Sequence, residues 1–265
     1  TQSTWGKMKG NISALPLLLQ IAEKSARLPS ISLTLALFGH SDQRRRYASS
    51  SPSPNPNPAT QRLFHNIRQR FLSFKEDKYR REEERFKRLA NLQNPKFMVI
   101  ACADSRVCPS NILGFQPGEA FMVRNVANLV PPAQNGPTET NAALEFASLT
   151  LKVEHVFVIG HSNCAGIETL LRMKDDQAFS LMEKWVSNAK AAKTTSVTSR
   201  EFERESINQS LKNLLTYPWI EQRVKGGLLS VHGGYYDFLN CSFEKWTLDA
   251  QKTAAFVPKD WEIWT

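Results

Sequence analysis

The sequence lacks a long apolar run. The apolar stretches of residues 1–60, Leu15–Ile21 and Ile31–Phe38, are short and are separated by charged residues and Pro29. A membrane-spanning helix needs about twenty consecutive apolar residues, so the sequence predicts no membrane span. There is also no internal repeat, and the composition, 41% hydrophobic and 22% charged, is ordinary for a globular protein.

Cysteine is scarce as well. The four cysteines, Cys102, Cys108, Cys164 and Cys241, are spread over 265 residues, a length that can bury a core without disulfides. Five residues separate Cys102 from Cys108, which is not the Cys-x-x-Cys spacing of thiol redox proteins. We therefore expect reduced thiols and metal ligation, and we interpret Cys108 and Cys241 as structural.

A recognisable nucleic-acid-binding motif is also missing, although the net charge is +9. Much of this charge lies in residues 1–60, which contain seven lysines and arginines but only two acidic residues, Glu23 and Asp42. The much longer remainder of the chain carries only about +4. Because a nucleic-acid-binding surface needs clustered basic residues, we expect no nucleic-acid partner.

The scarcity of acidic residues in residues 1–60 is typical of an organellar targeting segment. This segment is rich in serine and ends in the Pro/Ser-rich stretch Ser51–Pro58, which predicts a transit peptide followed by a linker. Residues Arg44–Ser49 (RRRYAS) resemble a mitochondrial processing site with cleavage after Tyr47. We favour the mitochondrion, with the chloroplast as the alternative; a disordered linker without targeting function is the third possibility.

Residues 61–93 are predicted to form a long helical arm. Six apolar residues follow the spacing of one helix face: Leu63, Phe64, Ile67, Phe71, Leu72 and Phe74. Charged residues dominate the segment after Phe74. An arm this aromatic has too little core of its own, so we expect it to pack on a partner subunit or across the domain.

Short apolar runs begin after Pro95 and alternate with helical patterns. The four predicted strands are Phe97–Ala101, Ala120–Val123, His155–Ile159 and Leu228–Val231. The predicted helices are Thr140–Lys152, Ala165–Met173, Leu181–Ala192 and Arg200–Val224. Continuous apolar strands that alternate with helices predict an α/β fold with a mainly parallel β-sheet flanked by helices.

Three candidate zinc ligands follow two of these strands. Cys102 follows the first strand, and His161 and Cys164 follow the third. Ligands bind beyond the carboxyl ends of parallel strands, and a catalytic zinc site combines three such ligands with a water molecule. A cysteine at a strand end can be a small buried hydrophobe, but the joint pattern, with Asp104 and Arg106 nearby, favours a metal.

Residues Cys102–Arg106 (CADSR) and His161–Cys164 (HSNC) together resemble the β-class carbonic anhydrases. Arg124–Asn128 (RNVAN), Gly136–Thr140 (GPTET) and the late Lys245-Trp246 are similar to the plant members. The resemblance covers roughly residues 62–265 and implies a catalytic domain over residues 61–265. It implies an enzyme with one zinc ion per chain that interconverts carbon dioxide and bicarbonate, and a homodimer or higher homo-oligomer.

The resemblance also assigns roles to individual residues. It gives Cys102, His161 and Cys164 to zinc, and Asp104 and Arg106 to a hydrogen-bonded pair beside the metal. The residues that it places around the carbon dioxide pocket are Gln93, Phe121, Val126 and Phe146.

The presence of Gln93 resembles the pattern of the subclass in which zinc keeps an open position for water. In the other subclass, the aspartate of the pair, here Asp104, takes that position in the inactive form. Two residues depart from the plant pattern. Phe146 stands where Tyr is frequent, and Ala165 stands where Gly is common. Both lie close enough to the chemistry to affect the rate.

The mechanism implied by the resemblance is attack of zinc-bound hydroxide on carbon dioxide, since zinc lowers the pKa of bound water from 15.7 to about 7. Asp104 would accept a hydrogen bond from that hydroxide, and Arg106 would keep Asp104 ionised. His232, which follows the predicted fourth strand, is a candidate for a minor role in proton transfer.

Two other functions remain open at this stage. A zinc ion could serve only as a structural staple, in which case Cys108 or Asp104 would be a permanent fourth ligand. The same scaffold could also hydrolyse a related linear substrate such as carbon disulfide or carbonyl sulfide, which a direct assay would decide.

Overall fold

The computed structural model describes residues 57–173, 180–194, 198–249 and 258–265. The segment predicted to be a transit peptide, residues 1–60, lies outside the described residues except for its last four positions. None of the described helices is long and apolar enough to cross a membrane.

Six strands and eight α-helices make up the described regular structure. The strands are β1 (Phe97–Cys102), β2 (Ala120–Asn125), β3 (His155–His161), β4 (Ser230–Asp237), β5 (Ser242–Leu248) and β6 (Pro258–Trp264). The helices are α1 (Pro58–Phe74), α2 (Glu83–Asn91), α3 (Pro109–Ile112), α4 (Glu139–Glu145), α5 (Ala165–Arg172), α6 (Leu181–Val186), α7 (Ser199–Leu214) and α8 (Pro218–Lys225). Single π-helical turns follow α1 and α4, and the described residues contain three 3₁₀ segments: Val126–Asn128, Ala133–Asn135 and Ser187–Thr194.

The strands form one sheet in the order β2-β1-β3-β4-β5-β6. β1 pairs in parallel with β2 and β3, and β3 pairs in parallel with β4. β5 and β6 extend the sheet with antiparallel pairing. The predicted fold class, a mainly parallel sheet flanked by helices, is therefore confirmed.

The two central strands β1 and β3 are buried on both faces, as their continuous apolar runs predict. On one face, Met98 and Ile100 belong to a large core that includes residues of α7 and α8. On the other face, Val99, Phe157 and Ile159 form a smaller core with residues that follow α3. The alternation of side chains along a strand explains this division.

Two of the predicted helices are each divided into two. The predicted helix 61–93 is α1 and α2, which are separated by a π-helical turn and by residues 80–82. The predicted helix Arg200–Val224 is α7 and α8, which are separated before Pro218. Proline lacks an amide hydrogen and disfavours helical geometry in the residue before it, so it begins α8 instead of continuing α7.

The predicted fourth strand is displaced. β4 begins at Ser230, two residues later than predicted, and extends to Asp237. β5 and β6 were not predicted, because their charged residues break the continuous apolar pattern used to find the other strands.

β4 contains a glycine pair that makes room for a large side chain. A Cβ atom on Gly233 would lie 2.3 Å from the ring of Trp246, which is the cross-strand neighbour on β5. Trp246 is fully buried. The absence of a side chain at Gly233 therefore leaves the space that the indole ring occupies.

Candidate metal centre

The three predicted metal ligands lie together at the carboxyl edge of the parallel strands. Cys102 is the last residue of β1, His161 is the last residue of β3, and Cys164 directly precedes α5. β1 and β3 are neighbours in the sheet, so their ends meet. All three side chains are buried, with exposed fractions of 5%, 2% and 2%.

The distances fit a tetrahedral soft cation. The Sγ atoms of Cys102 and Cys164 are 3.9 Å apart, close to the ~3.8 Å expected for two 2.3 Å zinc–sulfur bonds at a tetrahedral angle. The possible ligand atoms of the three residues all lie within 4.8 Å of one another. Among the described residues this is the only group of three such side chains that could hold a metal ion.

His161 presents a free nitrogen to this group. Its Nδ1 lies 2.8 Å from the carbonyl oxygen of Ser162 and, as the N–H donor, leaves Nε2 with a lone pair. Nε2 is buried and has no hydrogen-bond partner. A buried polar atom without a partner is costly, and a metal ion would satisfy it.

The two thiols influence each other strongly. A hydrogen bond from Cys164 lowers the pKa of Cys102 to about 4 despite burial, and His161 adds to this effect. The same contact, together with burial, raises the pKa of Cys164. Two adjacent thiolates repel each other, so a divalent cation between them is what allows both to lose their protons.

Asp104 and Arg106 form an ion pair beside the ligands. Arg106 Nε donates to Asp104 Oδ1 at 2.9 Å, and its Nη2 donates to Oδ2 at 2.6 Å. These hydrogen bonds hold the pKa of Asp104 well below its usual range. Arg106 Nη2 also donates to the carbonyl oxygen of Asn163 at 3.2 Å, which ties the pair to the loop between His161 and Cys164.

Arg124, to which the sequence assigned no role, holds the loop that carries the ion pair. Its guanidinium group donates four hydrogen bonds of 2.7–3.0 Å to the carbonyl oxygens of Cys102, Asp104 and Val107. A planar guanidinium can satisfy several acceptors at once. The position of Arg124 near the end of β2, at the same sheet edge, was the available signal in the sequence.

The four predicted pocket residues fall into two groups. Gln93 and Phe121 line a groove of about 540 Å³ beside α2, and none of the three ligands lines it. The rings of Phe121 and Phe146 are 5.7 Å apart. Val126 instead lies on the ligand side, because it is near Gly166 in the first turn of α5.

The structure also shows where His232 and Ala165 lie. His232 is the third residue of β4 and pairs with Phe157, four residues before His161 on β3. At about 3.3 Å per residue, this puts it roughly 13 Å from the ligand edge, so its placement at that edge was wrong. Ala165 opens α5 and is exposed, so its methyl group meets solvent.

A parallel α/β sheet that gathers two thiols and an imidazole at its carboxyl edge defines a class of metal-binding α/β enzymes. Within that class, the family model described as carbonic anhydrase matches residues 97–242. The chain belongs to the β carbonic anhydrase family, whose reaction is the reversible hydration of carbon dioxide to bicarbonate and a proton.

Two curated relatives come from Arabidopsis thaliana. The mitochondrial β carbonic anhydrase 6 is 56% identical over 212 residues, which is 75% of this chain and 73% of the relative. The chloroplastic β carbonic anhydrase 5 is 51% identical over 221 residues, which is 77% of this chain and 73% of the relative.

Solved structures share the fold. The β carbonic anhydrase CcaA is 28% identical and superposes with a TM-score of 0.64, covering 77% of this chain and 93% of that chain. A tetrameric β carbonic anhydrase from Sordaria macrospora is also 28% identical, with a TM-score of 0.61 over 69% of this chain and 96% of that chain.

Proposed function

We propose that this chain hydrates carbon dioxide with one zinc ion held by Cys102, His161 and Cys164. The observation that carries the proposal is the donor set itself: two buried sulfur atoms 3.9 Å apart and a buried imidazole Nε2 without a hydrogen-bond partner. Two thiolates and a neutral imidazole balance the charge of a divalent zinc ion, which makes a buried site favourable.

A bound zinc ion supplies a nucleophile at neutral pH, because it lowers the pKa of a coordinated water from 15.7 to about 7. Asp104 then orients the attack. Its carboxylate, held by Arg106, accepts a hydrogen bond from the proton of the attacking oxygen and directs a lone pair towards carbon dioxide. Asp104 has a mostly buried side chain, 16% exposed, while Arg106 is 53% exposed.

The substrate pocket is part of the same proposal. Val126 supplies apolar surface for carbon dioxide on the ligand side. Phe121 and Phe146 would supply further apolar surface, and Gln93 a donor to a substrate oxygen. Within one copy of the chain, Gln93 and Phe121 line a groove that none of the ligands lines, so their part in the pocket requires the homo-oligomer proposed below. Val126 is held in place by Trp185, whose Nε1 donates to the carbonyl oxygen of Val126 at 2.7 Å.

Asp104 also bears on the alternative of a purely structural zinc ion. A closed site would need a permanent fourth ligand. Both carboxyl oxygens of Asp104 are engaged by Arg106, through its backbone amide at 2.9 Å and its side chain. This engagement favours a position that is open to water.

Partners and location extend the proposal. The Sordaria macrospora enzymes are tetrameric, which supports a homo-oligomer here. The apolar residues Leu63, Phe64, Ile67 and Phe71 of α1 are each more than half exposed, and we expect this face to pack on a second copy. The mitochondrial and chloroplastic relatives support an organellar location, and the predicted processing site favours the mitochondrion.

A substrate comparison on the purified full chain tests the function. Stopped-flow assays would measure hydration of carbon dioxide, and parallel assays would measure hydrolysis of carbonyl sulfide and carbon disulfide. We expect carbon dioxide to have by far the highest kcat/KM. A higher kcat/KM for either sulfur compound, or zinc-loaded protein with no activity, would reject the proposal.

A further inference from the structure

A buried carboxyl group contacts the backbone of one metal ligand. Glu203 lies in α7 and is only 7% exposed. Its Oε1 accepts a hydrogen bond from the backbone N–H of Cys164 at 3.1 Å, and its Oε2 accepts one from the hydroxyl of Tyr235 at 2.7 Å. One side chain thus connects the ligand loop to α7 and β4.

Tyr235, the hydrogen-bond partner of Glu203 Oε2, is firmly held. Tyr235 is fully buried, and burial together with the hydrogen bond to Glu203 raises its pKa, so the hydroxyl keeps its proton and donates. The guanidinium groups of Arg204 and Arg200 lie over its ring at 4.8 and 5.8 Å. Glu203 therefore has little freedom to move away from Cys164.

Two further contacts hold the other end of the ligand loop. Ser162 N–H donates to the carbonyl oxygen of Tyr236 at 2.9 Å, and Ser162 Oγ accepts from the N–H of Phe238 at 2.9 Å. Both contacts fix the backbone next to His161. At Cys164 itself, the carbonyl oxygen accepts from the backbone N–H of Glu168 at 2.9 Å as α5 begins, and Glu203 holds the backbone N–H. Of these two contacts, the one with Glu203 is made by a side chain, so it can be removed by substitution.

We propose that Glu203 is a positioning residue for zinc, which holds Cys164 in the ligating orientation through the backbone N–H of that residue. This inference rests on the proposed zinc-dependent function. Groups that orient metal ligands typically change metal affinity or activity by about 10–100-fold when they are removed.

The rate of zinc release to a chromogenic chelator measures this role apart from activity. Glu203→Ala removes the acceptor, whereas Glu203→Gln keeps an amide oxygen for the Cys164 N–H and an NH₂ group that can donate to the Tyr235 oxygen. If Glu203 positions Cys164, Glu203→Ala should release zinc faster than the wild type, and Glu203→Gln should release it at the wild-type rate.

Asn213 provides a matched control. It is another buried polar residue of α7, 5% exposed, and its Nδ2 donates to the carbonyl oxygen of Val130 at 2.8 Å. No hydrogen bond between Asn213 and a metal ligand occurs in the described part of the chain. Asn213→Ala should lower the temperature of unfolding but leave the rate of zinc release unchanged.

We expect Glu203→Ala to release zinc about 10–100-fold faster than the wild type, Glu203→Gln to match the wild type, and Tyr235→Phe to lie between them. An unchanged rate in Glu203→Ala, or equal acceleration in the Gln variant, would overturn the proposal. If Glu203→Ala does not fold, Tyr235→Phe decides, and an unchanged rate there overturns it. A wild-type protein without bound zinc would instead reject the proposed function itself.

Discussion

At the scale of single residues, burial sets the chemistry of each donor. Cys102, His161 and Cys164 are almost fully removed from water, which makes an unpaired donor atom expensive and a shared metal ion favourable. Asp104 is different, because Arg106 engages both of its oxygens. The metal ligands and the orienting carboxylate are thus held by separate interactions, and their contributions can be measured separately.

Removal of the Asp104 carboxyl group should remove most of the turnover without loss of the metal. We expect Asp104→Ala to bind one zinc ion per chain and to lose about 10²-fold or more in kcat, since the attacking oxygen is no longer oriented. Metal analysis and stopped-flow hydration would measure the two effects. Glu154→Ala removes the exposed ion pair with Lys96 and serves as the control. Wild-type kcat in zinc-loaded Asp104→Ala would exclude the orienting role.

At the scale of elements, the site depends on where strands end. β1 and β3 are adjacent and parallel, so Cys102 and His161 could be predicted to meet from their positions after two apolar runs. The hydrogen bonds that stabilise these strand ends come from elsewhere, from Arg124 on β2 and from Glu203 on α7. Contacts between residues far apart in sequence leave no periodic pattern. The position of Arg124 near a strand end was a signal that went unused, and the role of Glu203 could not be predicted.

Arg124 should matter for catalysis because it holds the loop after β1. Arg124→Lys keeps the charge but replaces the planar fork with one ammonium group, so we expect kcat/KM to fall roughly 10-fold as the loop loses its alignment. The control is Arg223→Lys. Arg223 makes similar bonds to the carbonyl oxygens of Val153 and Leu228, away from the ligands. If both variants lose activity equally, the effect is one of general stability.

The edge of the sheet opposite the ligands contains a histidine pair that predicts a dependence of stability on pH. His232 Nε2 lies 3.2 Å from His155 Nδ1, and His232 Nδ1 lies 3.0 Å from Thr247 Oγ1. Burial lowers the pKa of His232 to about 4, with added repulsion from His155 and Lys245 and a small opposing effect of Asp260.

Because the unfolded chain takes up this proton near its ordinary pKa of about 6.5, the free energy of unfolding should fall between about pH 6.5 and pH 4 and then level off. The effect is on the order of 1–2 kcal/mol. Carboxyl groups also titrate in this range. The test is therefore the difference in the free energy of unfolding between the wild type and His232→Gln, measured by thermal unfolding. That difference should shrink as the pH falls. A constant difference would show that His232 does not titrate in this way.

At the scale of the whole molecule, the sequence predicted the parallel core of the sheet but not the full number of its strands. Continuous apolar strands and alternating helices were sufficient for the parallel core. β5 was missed because Glu244 and Lys245 interrupt its apolar residues, although six of its seven residues are buried. β6 was missed because it is largely exposed and its charged residues do not form an apolar run. The interruption before Pro218 was visible in the sequence as a proline, but the helical periodicity on either side concealed it.

The exposed apolar face of α1 predicts association between copies of the chain. No residue of α1 is buried, although the helix carries large apolar side chains. Phe64 and Ile67 are 67% and 56% exposed. We expect Ile67→Glu to lower the molecular mass in solution, measured by light scattering after size exclusion, because a charge would have to be buried in the interface. Gln69→Glu is the control on the same helix. An unchanged mass in Ile67→Glu would mean that this face lies outside the interface.

The central claim is that a single zinc ion on Cys102, His161 and Cys164 is required for hydration of carbon dioxide. Titration of metal-free protein with zinc, followed by measurement of the initial hydration rate at each step, tests it most directly. We expect the rate to rise linearly and to saturate at one zinc ion per chain. Full activity before zinc is added, or saturation with zinc without hydration, would contradict it.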